Sequence, residues 1–275
     1  MVNNFKLLIL LIALSSLFLF VGYSLGGQTG LVISLIFAVA TQGIAFWNSD
    51  KIALSMNQAQ EVSKEEAPKL FEITEKLSEK AGLPMPKVYI TPERLPNAFA
   101  TGRDPEHSAV AVTQGLLSNL DEAELEGVIA HELGHIKNRD VFISTIAAIL
   151  ASAISMLAQF SYFLGGDRER GGMLPFIVSL VVAPFAAMII QMAISRSREY
   201  LADSTAVEIT GNPNGLASAL NKLEQISKAG HQPDSLKPAF SSLYIANPFS
   251  GDFFSSLLNT HPPIPKRIEK IMGNF

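Results

Sequence analysis

HELGHIKNRDVFISTIAAILASAI, residues 131–154, sets two unlike chemistries side by side. Its first five residues frame a glutamate with two histidines, the pattern of a metal site that works on water. From Val141 to Gly166 no side chain is charged, which marks a segment suited to lipid. The fold therefore has to bring a hydrolytic centre against an apolar span.

The rest of the chain carries the same contrast. Of 275 residues 48% are hydrophobic, and the mean hydropathy is +0.27, high for a soluble domain. The excess is concentrated. Residues 7–49 contain no Asp, Glu, Lys, Arg or His. A helix needs about 20 apolar residues to cross the bilayer core, so this run can cross twice. GYSLGGQTG, residues 22–30, supplies a turn between one span near 5–24 and a second near 30–47. Two more charge-free runs follow, 141–166 and 171–195, separated by Asp167, Arg168, Glu169 and Arg170. Pro184 predicts a kink in the last of them. A buried helical hairpin in a soluble core is the alternative for these two runs. The first run lacks a small-x-small cleavage site with a polar sequence after it, so it is a retained anchor rather than a cleaved signal.

Lys6, Lys51, Lys137, Arg139, Arg196 and Arg198 flank the spans on one side, while the loop between the first two carries no charge. The positive-inside rule then places both termini and residues 50–140 in the cytosol. Arg168 and Arg170 stand on the opposite side, balanced by two acids. There is no cysteine, so nothing asks for an oxidising compartment. A net charge of -4 with no long basic run gives no sign of nucleic-acid binding.

Residues 50–140 carry charge at ordinary density and read as an α+β region. Leu70, Ile73 and Leu77 recur at helical spacing in Glu65–Ala81, which stops at Gly82. KVYIT (87–91) and AVAVT (109–113) read as strands, with PNAFATG (96–102) between them. Asp121 and Glu124 form a capping-box start for a helix whose packed face is Leu125, Val128, Ile129 and Leu133. A further amphipathic helix covers about 213–228.

On the capped helix, His131 and His135 lie four apart, so both imidazoles leave one face and can share a zinc ion. Glu132 stands about 100° around the helix, where it can reach a bound water without ligating the metal. Gly134 leaves room for a close approach. Zinc needs a third protein ligand, and no histidine follows within Ile136, Lys137, Asn138 and Arg139. A distant acid is expected, with Glu199 in SRSREYLAD (195–203) the best candidate and Asp203 four residues on. One of the pair can bind metal while the other orients an imidazole. These charges can equally be interfacial residues that end a span.

HELGH before an apolar hairpin, then SRSREYLAD, with PNAFATG upstream and THPPIPKRI (260–268) downstream, resembles the HtpX family of membrane-bound zinc metalloproteases, relatives of the CAAX prenyl proteases. The resemblance covers essentially the whole chain. It implies His131, His135 and Glu199 as ligands of one Zn2+ per chain and Glu132 as base and proton shuttle. PNAFATG becomes an edge strand beside the cleft, where Asn97, Ala98, Phe99 and Ala100 would pair with an extended substrate backbone. His261 becomes a candidate donor to the developing oxyanion, or a structural residue ahead of Pro262. The resemblance also implies a role in membrane-protein quality control and the stress response.

The expected fold is a mainly α membrane protein with a small β-sheet: four transmembrane helices plus an α+β zincin-type cytosolic protease domain built from 50–140 and 196–275. Residues 1–49 hold two transmembrane helices, 50–140 the part with the HExxH helix, 141–195 a transmembrane hairpin, and 196–275 the part with the third ligand. The expected partners are polypeptides, mainly membrane proteins, and the lipid bilayer of the plasma membrane. No phosphate-binding loop occurs, so no ATP use is expected. A CAAX-type prenyl protease is disfavoured by having four spans rather than the many that would enclose a large chamber. A scaffold with a structural zinc needs no Glu132. A transporter would carry ionisable pairs within its spans, and these runs have none.

Overall fold

The computed structural model describes residues 2–143, 145–146, 196–229 and 262–273. Most of the third apolar run, all of the fourth, the loop at 167–170, His231 and His261 lie outside the described residues.

The first helical element, α1 (Val2–Met56), is two arms joined by a turn. Gly26 (φ −140°, ψ 16°) and Gly27 (φ 55°, ψ −138°) leave the helical region inside the stretch whose composition predicts the turn. Only glycine adopts the Gly27 geometry without strain. The arms run back along each other. Gln42 Nε2 donates to Ser15 Oγ at 2.9 Å, and the Phe18 and Phe37 rings meet edge to face at 5.5 Å. Ser15, Ser16 and Thr41 donate their hydroxyls to carbonyls one turn back, which satisfies them without water. Among the described residues, the window Gly26–Ile44 is long and apolar enough to cross a membrane, and only 6% of it is buried within the protein. Val32, Ile36, Val39 and Trp47 are all more than half exposed. So much outward apolar surface is what lipid solvates well and water does not.

The sheet has four strands: β1 (Gln60–Glu61), β2 (Lys87–Thr91), β3 (Ala98–Gly102) and β4 (Ser108–Thr113). Their order is β1-β2-β4-β3, with β2 and β4 parallel and both outer pairs antiparallel. The alternation of AVAVT splits its side chains between two cores. Val110 and Val112, with Val88, Ala98 and Ala100, join the main core. Ala109 and Ala111, with Phe99, pack against Leu54 at the end of α1. On the sheet's outer strand, Thr113 N–H donates to the Asn97 carbonyl at 2.9 Å. Because antiparallel pairs alternate, this register turns the backbone groups of Ala98, Ala100 and Gly102 away from β4.

The helix α2 (Pro68–Ala81) starts three residues later than its apolar spacing alone suggests. Pro68 has no N–H to give a preceding turn and suits the first helical position. Beyond the short α3 (Gln114–Asn119) comes α4 (Glu122–Lys137), the hub of the domain. Both halves of its capping box form: Glu124 N–H donates to Asp121 at 3.0 Å, and Asp121 N–H to Glu124 at 2.9 Å. The same Glu124 carboxylate takes the Ser218 hydroxyl and Lys222 ammonium at 2.6 Å each. These two residues belong to α6 (Pro213–Lys228), so the cap also docks a neighbour. Leu125, Val128, Ile129 and Leu133 are buried on the packed face. Around α4 stand α2, β3, α6 and α5 (Arg196–Thr210). The last helix, α7 (Ile264–Gly273), occupies a stretch whose prolines mask its helical spacing. Ile264 and Ile271 are buried and Ile268 packs beside them on the core face.

Candidate active site

Helical spacing brings the imidazoles of His131 and His135 together: their Nε2 atoms are 3.1 Å apart. Glu199, on the first turn of α5, completes the group, with Oε2 3.8 Å from His131 Nε2 and Oε1 3.6 Å from His135 Nε2. The three donor atoms lie within 4.8 Å of one another. Bonds of about 2.0–2.1 Å to a tetrahedral zinc set neighbouring donors about 3.3 Å apart. Two imidazole nitrogens and a carboxylate at these separations fit a divalent metal. Gly134 allows the approach. A Cβ there would sit 3.0 Å from the Ala202 carbonyl oxygen, so a bare backbone lets α5 lie close against α4.

Each imidazole is held by a carboxylate on its far nitrogen. His131 Nδ1 is 3.0 Å from Asp203 Oδ1, and His135 Nδ1 is 3.1 Å from Asp140 Oδ1. With each Nδ1 donating, both Nε2 lone pairs turn inward, the tautomer a metal requires. Of the two acids in SRSREYLAD, Glu199 thus joins the donor cluster and Asp203 orients a histidine. Behind them Arg267 of α7 is fully buried. It makes a two-pronged bond to Asp203, Nε to Oδ2 at 2.9 Å and Nη2 to Oδ1 at 2.6 Å. Its Nη1 is 3.6 Å from Glu199 Oε2.

The charges explain the protonation states. Burial works against the charged form of Asp203, but the Arg267 guanidinium and the bonds from Arg267 and His131 overcome it and bring the pKa down to about 2. Burial likewise opposes a proton on His135. Asp140 first, then Glu199 and Glu132, outweigh it and push the pKa up to about 10. A site this anionic takes a proton where a cation belongs, so metal and proton compete for it. A raised pKa stabilises the metal-free fold fully below the ordinary value of about 6.5 and loses that contribution as pH climbs toward 10. Thermal unfolding of chelator-stripped protein should therefore weaken across that window, and saturating zinc should flatten the dependence.

Glu132 is buried next to His131 on α4, and its Oε2 accepts the Ala100 N–H at 2.8 Å. The base candidate is thereby in contact with the outer strand. Asn97, Ala98 and Phe99 continue away from that contact and are also buried. His261 lies outside the described residues, whereas Arg267, six residues on in the same THPPIPKRI motif, enters the site. Arg267 and Asp140 are the two members that sequence reasoning does not find. Asp140 had a signal, as the last charge before the third apolar run. No spacing rule connects Arg267 to Asp203.

A model of peptidase family M48 matches residues 64–274. The protein called protease HtpX homolog of Pelotomaculum thermopropionicum is 50% identical over 98% of this chain and 98% of its own length. That of Pyrococcus furiosus is 49% identical over 96% of this chain and 93% of its own. Among solved structures, the crystal structure of S. mikatae Ste24p superposes on 98% of this chain with a TM-score of 0.52 at 20% identity. This chain spans 65% of that protein's length. At such identity the likeness speaks for the fold alone.

Proposed function

The chain belongs to peptidase family M48, among its HtpX members, and on that premise we propose a membrane-integral zinc endopeptidase that cuts membrane or misfolded proteins. The observation that carries this reading is the convergence of buried His131 and Glu199 with half-buried His135, and buried Glu132 alongside. Neither a structural metal nor a scaffold has use for an acid beside its ligands.

Zinc held by these three residues would polarise the scissile carbonyl and acidify the attacking water. Glu132 takes the proton from that water and returns it to the departing amine. Asp203 and Asp140 keep both imidazoles in the donating tautomer. An extended substrate would lie along the outer side of β3, where backbone pairing makes recognition largely independent of side chains. His261 remains a proposed donor to the oxyanion.

Gly26–Ile44 is the one window among the described residues long and apolar enough to cross a membrane, and the exposed Ile12, Phe20 and Tyr23 of the other arm support reading α1 as two spans. The runs at 141–166 and 171–195 add two more, with both termini and the protease domain in the cytosol and the chain in the plasma membrane. The ligand helix ends just before the third span and Glu199 follows the fourth, so the metal loop is closed through the bilayer. The substrates are flexible segments near that surface, cut without ATP, as membrane-protein quality control requires.

The test is metal-dependent proteolysis. Enzyme purified in detergent, stripped by chelator, should stop cleaving an unfolded model protein and resume when one zinc per chain is restored. Glu199→Gln should lower zinc content and activity together, because a neutral amide replaces an anionic donor. Full zinc retention in that variant would move the third ligand elsewhere.

A further inference from the structure

Ala100 is the last residue of the segment assigned to substrate, yet its N–H is already engaged. It donates to Glu132 Oε2 at 2.8 Å. The register explains how. Asn97 bonds inward to Thr113, so Ala98, Ala100 and Gly102 face outward, and of these Ala100 meets the glutamate. Both partners are buried, with Ala100 7% and Glu132 4% exposed. A donor to a buried carboxylate makes a bond stronger than a neutral one and restricts the side chain to a narrow range of rotamers.

We propose that the Ala100 backbone N–H is a positioning group for Glu132 and does not pair with substrate. This rests on the reading of Glu132 as the base. One carboxylate oxygen is occupied by the strand, leaving Oε1 to face the water. The strand's offer to a substrate is then uneven. The amides of Ala98 and Gly102 point to the same side of the strand, whereas that of Ala100 is engaged by Glu132 and leaves only its carbonyl. No side chain is needed for this, so the device is invisible to residue identity.

The experiment replaces single amides by esters in the intact detergent-solubilised, zinc-loaded enzyme, using lactic acid at position 100 and, separately, at position 98. Each ester removes one outward N–H and weakens one inward carbonyl equally, so the pair share their structural cost. Ala100→lactic acid should lower kcat by roughly 10- to 100-fold, the worth of one charge-assisted bond, with KM and bound zinc unchanged. Ala98→lactic acid, which removes the neighbouring outward N–H at the same backbone cost, should not reproduce that loss of kcat. The reverse split, KM rising at position 100 with kcat kept, would return Ala100 to the substrate and overturn the inference.

A second readout needs no ester. With selective 15N-alanine labelling, the Ala100 amide resonance should move on Glu132→Ala and stay put when a non-hydrolysable peptide binds. An Ala100 resonance that responds to peptide and ignores Glu132→Ala would also overturn it. If Glu132→Gln kept full activity, the base reading itself would fall. Inactive Glu132→Gln beside an unimpaired position-100 ester would remove only the positioning role.

Discussion

Glu132→Gln is expected to bind zinc as the parent does and to lose about 10²- to 10⁴-fold in kcat, the usual worth of a positioned general base. The amide is nearly isosteric and can still accept the Ala100 N–H, so the local packing stays intact. What it lacks is an oxygen able to take a proton. Glu132 is not among the three donors that converge, so metal content should hold at one zinc per chain. Both proteins should be stripped, reloaded and tested against the same unfolded substrate with zinc counted in each. Matched zinc with cleavage only by the parent supports the proposed mechanism. Matched zinc with equal cleavage would place the base elsewhere, and loss of zinc would make Glu132 a ligand.

The second large effect belongs to Arg267. Its guanidinium is fully buried, bonded twice to Asp203 and close to Glu199. Arg267→Ala leaves two buried carboxylates without their cation. Removing one member of a buried pair destabilises by about 3–5 kcal/mol, visible as a lower unfolding midpoint in detergent. Metal affinity should fall as well, by about 10- to 100-fold, since Asp203 orients His131 and Arg267 anchors Asp203. Arg267→Lys should rescue only part, because an ammonium cannot reproduce the two-pronged contact.

The double variant Arg267→Met with Asp203→Leu separates the two losses. An apolar pair of suitable volume can restore stability, but the histidine stays unoriented and zinc affinity stays low. Recovery of both would reduce the pair to packing. Acid titrates the same interaction. The Asp203 pKa is lowered to about 2 by its partners, so its contribution, on the order of 2 kcal/mol, is present above the ordinary value near 3.8 and disappears as pH falls toward 2. Arg267→Ala should lose that acid sensitivity.

These expectations divide by how far apart in sequence the participating residues stand. The capping box at Asp121, the packed face of α4, the pairing of His131 with His135 and the glycine turn in α1 all follow from contacts within a few residues. Helical and strand periods are properties of the local backbone, and a sequence displays them directly. The charge-free runs are equally direct, since the bilayer selects by composition. The nomination of Glu199 needed more, and the motif order supplied it. The separation of tasks between Glu199 and Asp203 did not follow from their spacing, because either acid could have faced the histidines.

Tertiary structure decided what distant segments do to one another. It put Arg267 behind Asp203 across 64 residues, where charge in a low-dielectric interior sets the tautomer of His131. It brought Asp140 back onto His135 after the helix ended. Above all it chose which backbone groups of β3 look outward and sent one of them to Glu132. Strand register depends on a partner strand and a packed face, and an amide hydrogen carries no residue identity. The sequence alone displayed the paired histidines with their glutamate and the charge-free runs beside them. Only the fold decided which atoms hold that chemistry in place, because those contacts join segments that no local period connects.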